Sequence, residues 1–379
     1  MYHAMPVRPV HRVAGQRGVT LIELMVGMLI GMLAILVISQ VLLVSEGQKR
    51  TTTSGADAQV NGALSLFAIQ RDIQAAGYGF TSTPGIVGCP LSARFNGAAP
   101  AGFAATLAPV FITPEAARPA GSVGDSIRIL ASSKTSYSVP TRVVPPGIAV
   151  NGQSVPVTAA LGYVQGDLAV LATDGVQPCW LIQVTGAPTA TSVPRADDGA
   201  GWNTAGTPTQ AYNDGSVLLN LGTLIDNRYE INVVNNVSVL QLSSFDASNP
   251  GVRITRDIQA DVVGLQAYYG RDTSGPTDGI VDVYDTNTPA NNADWLRVMS
   301  VRLLVVSRSG QYEKDIVTPA DPSWDVGTTP PTTGAAACGA SQCVTIDVGA
   351  GAVGDVPAKH YRYKVFETIV PMRNMMWSS

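Results

Sequence analysis

The chain has 379 residues, of which only 14% are charged, and its formal net charge at pH 7 is −4. This length suffices for one large or two modest domains, and 38 glycines and 25 prolines predict extensive loops. Residues 1–18 contain three arginines and no acid, so the remainder is more acidic than the whole. An acidic body without a basic run is not typical of nucleic-acid binding, and we expect no nucleic-acid partner.

Residues 1–18, MYHAMPVRPVHRVAGQRG, are polar and basic. An ordinary secretory signal peptide carries an apolar core and a small-residue cleavage site, and this segment has neither. Its arginines precede an apolar run, and such an arrangement keeps the N-terminal end in the cytoplasm and places the following body outside. We interpret residues 1–18 as a basic leader peptide.

Residues 19–45 are strongly apolar, and no charged residue occurs from Leu24 to Ser45. At about 1.5 Å per residue, a helix of this length crosses the roughly 30 Å hydrocarbon core of a membrane. Glu23, the one acid, lies at the cytoplasmic edge of the run. A carboxylate within lipid is costly and needs a partner, so Glu23 either pairs during assembly or sits among the headgroups.

Gly27 and Gly31 form a GxxxG pattern inside the apolar run. Small residues at this spacing allow membrane helices to approach closely, although glycine is also simply tolerated in such helices. Both interpretations stay open at this point.

The next segment, residues 46–76, is polar with two sets of apolar residues at helical spacing. The first set is Val60, Leu64 and Phe67, and the second is Leu66, Ile69 and Ile73. We predict the amphipathic outer half of one long helix, whose apolar side lies on the following domain. Glycines at positions 77 and 79 are expected to end it.

The remainder, residues 77–379, is predicted to be a β-rich globular domain with an antiparallel sheet. A hairpin is expected at residues 228–245, because Asn235-Asn236 tolerates the positive φ of a tight turn. No firm strand is visible at 81–124, and 187–215, 271–294 and 318–342 are predicted to be long loops. The other predicted strands are 125–130, 167–172, 179–186, 216–222, 262–270, 295–309 and 361–370.

All four cysteines lie after the apolar helix, at positions 89, 179, 338 and 343. An even number in an exported domain favours two disulfides, for which three connectivities exist. Cys338 and Cys343 are close in sequence and form the economical local pair, which leaves Cys89 with Cys179. The alternative is four reduced, buried cysteines.

The sequence gives little support for a catalytic site or a cofactor site. His3, His11 and His360 are the only histidines, and two lie in the leader, which argues against a histidine-based metal site or a Ser-His-Asp triad. We expect His360 at a strand edge or on the surface. The sequence GAGAVG at 349–354 precedes Asp-Val-Pro, a poor helix start, so we predict a glycine-rich turn and no cofactor.

Several aspartates cluster in one loop, namely Asp272, Asp278, Asp282 and Asp285. Calcium takes several oxygen ligands, which makes the first three weak calcium candidates. The spacing is not that of an EF-hand, and acidic surface loops are common. We therefore predict no metal site.

The sequence GVTLIE at Gly18–Glu23, followed by some twenty apolar residues, resembles the signal of type IV prepilins. The resemblance implies that a prepilin peptidase cuts between Gly18 and Val19 and methylates the new N-terminus. Many family members begin with phenylalanine, whereas this chain has Val19. It also implies that Glu23 pairs with the freed amine of a neighbouring subunit and sets the register between helices.

The later half resembles the PilW group of minor pilins. The similarity lies in DVVGLQAYYG at 261–270, DGIVDVY at 278–284, WLRVMSVRLLVVSRS at 295–309 and HYRYKVFETIVPMRN at 360–374. Residues 81–225 carry no useful resemblance. The implied fold is α+β and pilin-like: a long N-terminal helix, apolar in its first half and amphipathic in its second, followed by an antiparallel β-rich domain.

The resulting expectation is a non-enzymatic minor pilin that helps to start and cap a bacterial type IV pilus, supporting adhesion and twitching motility. Its expected partners are the prepilin peptidase, other minor pilins, the major pilin and the assembly machinery. It would reside in the inner membrane with a periplasmic body and later in the pilus. The rivals are a type II secretion pseudopilin and a membrane-anchored periplasmic enzyme.

Overall fold

The computed structural model describes residues 18–103, 106–119, 122–136, 139–175, 178–197, 201–204 and 206–376. The predicted leader lies outside these ranges except for Gly18. The chain divides into two units, Met1–Thr53 and Ser54–Ser379, and each is considered by itself.

The helices are α1 (Leu21–Ala75), α2 (Asn292–Leu296) and α3 (Arg373–Met376). The strands of the first half are β1 (Cys89–Ser92), β2 (Thr106–Leu107), β3 (Val110–Thr113), β4 (Val123–Ala131), β5 (Thr141–Arg142), β6 (Ser154–Pro156), β7 (Leu168–Ala172), β8 (Cys179–Gln183), β9 (Ser192–Pro194) and β10 (Val217–Gly222). Those of the second half are β11 (Ile225–Val234), β12 (Val237–Phe245), β13 (Arg253–Ala260), β14 (Val262–Arg271), β15 (Val283–Asp285), β16 (Val298–Arg308), β17 (Ser323–Asp325), β18 (Ala336–Cys338), β19 (Ser341–Thr345) and β20 (Tyr363–Pro371).

The second unit contains three larger sheets and two small ones. The strand orders are β2-β1-β8-β7-β10-β5, β13-β12-β11-β4-β3, β15-β14-β16-β20, β17-β19-β18 and β6-β9. Neighbouring strands are antiparallel except for β1 and β8 among those the structure describes. The predicted α+β class, with a long apolar N-terminal helix and antiparallel sheets, is confirmed.

The main core of the second unit lies between the end of α1 and the sheets that contain β11 and β14. Ile69 and Ile73 of α1 have no exposed surface and join a cluster of buried residues from β3, β4, β11, β14 and β16. Another cluster packs the β7–β8–β10 region around Trp202. The long aliphatic strands supply most of this apolar area, whose burial drives folding.

The predicted hairpin is confirmed. β11 and β12 pair in continuous register down to Val234 opposite Val237. Asn235 and Asn236 between them have φ values of 51° and 64°. Two consecutive positive φ values match the right-handed twist of the flanking strands, and asparagine reaches them at low cost.

The two apolar sets of α1 face in opposite directions, and one of them packs on the domain as predicted. Val60, Leu64 and Phe67 face away from the domain, and each exposes more than half of its side chain, whereas the Leu66, Ile69 and Ile73 set packs inward. Both sets repeat with helical spacing, so periodicity alone cannot choose between them.

The predicted strand at 295–309 begins only at Val298, because Trp295 lies in α2. The side chain of Asn291 caps this short helix by accepting the backbone N–H of Asp294. The stretch at 81–124 contains β1, β2 and β3, and the predicted loops contain the short strands β9, β15, β17 and β18. These strands are short, and tertiary pairing rather than local pattern defines them.

Candidate functional site

The N-terminus of α1 carries a reciprocal hydrogen-bonded cap. The carboxylate of Glu23 accepts the backbone N–H of Thr20 at 2.9 Å and its hydroxyl at 2.9 Å. The hydroxyl of Thr20 in turn accepts the backbone N–H of Glu23 at 3.3 Å. This is a capping box, in which the N-cap and third helical residues satisfy each other's free N–H groups.

Sequence reasoning gave Glu23 an assembly role and overlooked Thr20. The pattern Thr-x-x-Glu before an apolar run is a recognisable helix start and could have been found. Both of these hydrogen bonds go to the Oε2 atom of the Glu23 carboxylate. A carboxylate has about four acceptor positions, so the cap leaves acceptor capacity for a second partner.

Residues Leu21–Lys49 form a helix that is long and apolar enough to cross a membrane. Glu23, Gly27 and Gly31 follow one another at intervals of four and therefore share one face of the helix. A Cβ atom added at either glycine would meet nothing within 4 Å. This face is open to another helix.

The second half of α1 is held by hydrogen bonds as well as by its apolar face. Asp72 accepts the hydroxyl of Tyr229 at 2.8 Å and the side-chain amide of Asn227 at 2.9 Å. Near the start of this half, Ser307 donates to the carbonyl of Ala58 at 2.6 Å. The end of the helix is therefore seated on β11 and β16.

Further polar contacts fix the register of α1 on the domain. Gln259 donates to the side chain of Asn61 at 2.7 Å, and Asn374 donates to the carbonyl of Ala76 at 2.9 Å. The ring of Phe366 fills the space beside Gly62, where an added Cβ would lie 2.2 Å from it. Residues from the second half of the chain thus contact α1 at several positions along its length.

The opposite face of this part of α1 is apolar and exposed. We call Val60, Leu64 and Phe67 the outer stripe; their exposed fractions are 55%, 51% and 62%. Three large apolar side chains aligned on one exposed helix face make the outer stripe a candidate interaction surface.

The cysteines form two disulfides, Cys89–Cys179 and Cys338–Cys343, with Cα–Cα distances of 5.9 Å and 5.7 Å. The first joins β1 to β8, whose pairing is parallel. The second closes the β18–β19 hairpin, where Gly339 has a φ of 67°. These are the pairings that the sequence favoured.

The aspartate loop uses its carboxylates to organise its own backbone. Asp272 is fully buried and accepts the N–H groups of Ser274, Asp278 and Gly279. Asp282 accepts from Thr273 and Ser274, which lowers the pKa of its carboxyl through those hydrogen bonds.

In the part of the chain that the structure describes, no group of three or more His, Cys, Asp or Glu side chains is placed to hold a metal ion. Asp285 instead forms an ion pair with Arg271. The carboxylates of this loop thus contact its own backbone N–H groups and Arg271.

His360 is buried, contrary to the expectation of an edge or surface position. Its Nε2 atom lies 2.6 Å from Asp355 and its Nδ1 atom 2.7 Å from the carbonyl of Glu313. The ring stacks on Tyr312 at a centroid distance of 4.5 Å. The hydrogen bond to Asp355, with help from Glu313, raises the pKa of His360.

Comparison with known families gives two matches. Residues 14–39 match the prokaryotic N-terminal methylation motif, which contains Gly18, Val19, Glu23 and both glycines of the open helix face. Residues 228–374 match PilW, the type IV pilus-assembly protein W family, and this region contains many of the residues that seat α1.

Comparison with curated proteins and with solved structures returned no match. The methylation motif lies on the exposed apolar part of α1, and the PilW match covers strands that contact the second half of this helix. Residues 228–374 are thus similar to the PilW type IV pilus-assembly family, and the N-terminal part of the chain carries the prokaryotic N-terminal methylation motif.

Proposed function

We propose that this protein is a minor pilin that takes part in starting and capping a bacterial type IV pilus. The observation that carries the proposal is the open apolar helix with its N-terminal methylation motif, followed by a PilW-matched domain. No catalysis is required of it. It would support pilus assembly and, through the pilus, adhesion and twitching motility.

In this proposal the prepilin peptidase removes residues 1–18 and methylates Val19. Residues 19–45 anchor the subunit in the inner membrane and later lie in the filament core, and residues 46–76 continue the helix. Residues 77–379 form the periplasmic domain, which reaches the cell surface in the pilus. Other minor pilins and the major pilin are its partners.

Glu23 would have two roles. Its carboxylate caps its own helix through Thr20, and it would also accept the freed amine of Val19 from a neighbouring subunit. Pairing of these charges in lipid offsets the cost of burying either one alone. The glycines at 27 and 31 on the same face would let the partner helix approach closely.

The two roles can be separated by substitution. Glu23→Gln keeps the acceptor that a capping box needs but removes the charge. We expect it to insert normally in the inner membrane and to be depleted from pili, as Glu23→Ala should be. Thr20→Val is the matched control, because it removes the side-chain cap and keeps the carboxylate, and it should be incorporated. Normal incorporation of both Glu23 variants would contradict the assembly role.

The outer stripe provides a second test of lateral packing. Leu64→Gln and Phe67→Gln change exposed side chains and should leave the stability of the domain within about 0.5 kcal/mol. We expect both to reduce co-purification with other pilins. Unchanged co-purification of the double variant would show that this face makes no contact in the assembly.

A pseudopilin of a type II secretion system shares the N-terminal motif, so a phenotype is needed to separate the two systems. Deletion of the gene should abolish twitching motility and leave exoprotein secretion intact. Loss of secretion with normal motility would reverse the assignment.

A further inference from the structure

A polar cleft on the second unit is unconnected with the seat of α1. It has a volume of about 800 Å³, which lies within the range of small-ligand sites. The floor of the cleft is formed by three neighbouring strands of one sheet, β3, β4 and β11. Phe103 and Arg118, which lie outside these strands, also line it.

Three side chains of the floor lie side by side because of strand register. Phe111 of β3 is opposite Arg128 of β4, and Arg128 is opposite Arg228 of β11. Like charges directly opposite one another on antiparallel strands destabilise a sheet unless other charges compensate them.

The positive charges of Arg118, Arg128 and Arg253 are compensated by nearby hydrogen-bond acceptors. The buried carboxylate of Asp226 accepts from Arg128 and Arg253. Arg118 donates to the carbonyl of Gly124 at 2.7 Å and to Glu230 at 3.2 Å. Each of these guanidinium groups therefore has acceptors within hydrogen-bond distance.

Arg228 differs from them. Among the residues that the structure describes, none forms a hydrogen bond or an ion pair with its guanidinium group, although Glu230 and Asp226 lie near enough to favour its charge. Partial burial and the neighbouring Arg128 and Arg253 lower its pKa. The cleft lining thus holds three arginines and one glutamate, Glu230, which makes the cleft positive on a chain whose net charge is −4.

The remaining lining matches a hydroxyl-rich ligand better than a purely ionic one. Thr106, Thr113, Ser122, Ser126 and Asn232 supply hydroxyl and amide groups, and Phe103 and Phe111 supply apolar ring surface. A few placed polar groups beside aromatic surface are typical of small-ligand sites. The planar fork of arginine fits a carboxylate through two parallel hydrogen bonds.

We propose that this cleft binds an acidic sugar unit, with Arg228 holding the sugar carboxylate and the Thr, Ser and Asn side chains holding its hydroxyl groups. The ligand class is a uronic-acid-containing oligosaccharide, such as those of anionic surface polysaccharides. The role is separate from filament assembly, since none of the residues involved lies on α1.

The test uses the full chain in detergent and titration calorimetry with a galacturonic acid trimer. We expect saturable binding that weakens as salt is added, because charge pairing at a partly exposed site is screened. Arg228→Gln should weaken binding by roughly tenfold or more, since it removes a charge-assisted pair. Arg228→Lys should also weaken it, because a point charge cannot form the two-bond contact.

Arg256→Gln is the matched control. Arg256 lies on β13 of the same sheet, is exposed and does not line the cleft, so its loss changes net charge equally and should leave the affinity unchanged. Thermal unfolding should show that Arg228→Gln is folded, because it relieves repulsion with Arg128.

Several results would overturn the proposal. These are no saturable binding of the trimer, unchanged affinity in Arg228→Gln, or equal loss in Arg256→Gln. Equal affinity for the neutral galactose trimer would refute carboxylate recognition. Equally tight binding of hexaglutamate or of inorganic phosphate would refute the assignment to a sugar.

Discussion

The hydroxyl of Tyr229 on β11 donates to the carboxylate of Asp72 on α1 at 2.8 Å. Asn227 donates to the same carboxylate oxygen at 2.9 Å, and Tyr229 is buried. This contact joins the second half of the long helix to the strand at which the PilW match begins. The contact therefore fixes the position of this half of the helix on β11.

Tyr229→Phe should lower the free energy of unfolding of the second unit by about 1–2 kcal/mol, because one hydrogen bond to a charged group is lost while the ring still packs. Denaturant unfolding of the full chain in detergent measures this. Arg71→Gln is the control, since the Arg71 side chain is 73% exposed and only forms a surface ion pair with the other Asp72 oxygen at 3.7 Å, so its loss should change stability by less than about 1 kcal/mol. Equal effects of the two variants would contradict the seat.

Gly62→Ala should destabilise the second unit, although alanine is the better helix former. Its Cβ would lie 2.2 Å from the ring of Phe366 and 2.9 Å from the hydroxyl of Ser307. Overpacking of this kind costs about 1–3 kcal/mol, more than the gain in helix propensity of about 1 kcal/mol.

Gly55→Ala is the matched control for Gly62→Ala, because its Cβ would meet nothing within 4 Å. It should be neutral or stabilise by about 0.5–1 kcal/mol. If α1 is seated as described, thermal unfolding should give a lower melting temperature for Gly62→Ala and an unchanged or higher one for Gly55→Ala. An increase in the stability of Gly62→Ala would show that α1 does not pack closely against Phe366 of β20.

His360 should titrate above its ordinary pKa of 6.5, because hydrogen bonds from the ring to Asp355 and Glu313 favour the charged form. It is the only histidine after residue 18, so its imidazole signal in an NMR titration of the processed chain is unambiguous. Asp355→Asn should lower the midpoint, and an unchanged midpoint would contradict the pairing.

The raised pKa of His360 also determines how its contribution to folding stability changes with pH. A histidine whose pKa is raised by folding contributes stability that is fully present below the unfolded pKa and lost as pH rises through the folded pKa. We therefore expect the stabilising effect of the His360–Asp355 pair to be complete in mild acid and to disappear in mildly alkaline solution. Double-mutant unfolding at the two pH values measures it.

Removal of the Cys89–Cys179 disulfide should cost roughly 2–5 kcal/mol, because it closes a loop with a sequence separation of 90. The Cys338–Cys343 disulfide closes a separation of only 5 and should contribute less, since shorter loops gain less chain entropy on opening. Paired Cys→Ala substitutions with thermal unfolding compare them. A larger effect from the short loop would contradict this order.

Much of the architecture could be predicted from sequence because its signals are local. The apolar run, the Asn235-Asn236 turn and the long aliphatic strands each depend on neighbouring residues. The capping box at Thr20 was also visible in the sequence and was overlooked. The box satisfies free N–H groups at the start of α1. Glu23 is part of it, but only a role in assembly was assigned to this residue from the sequence.

Other features depend on contacts between distant residues and could not be read from local pattern. The outer stripe and the buried face of α1 have the same period, and only the sheet beneath decides which is buried. His360 is buried by Tyr312 and by a turn that brings Asp355 to its ring. The cleft around Arg228 exists because strand register sets residues 111, 128 and 228 side by side.

The central claim, a processed pilin helix that anchors and then assembles, is tested most directly by N-terminal mass analysis of the protein isolated from membranes and from pili. The account predicts a chain that begins at Val19 and carries one methyl group on its amine in both fractions. A chain with intact Met1, or one cut beyond Ser45, would contradict it.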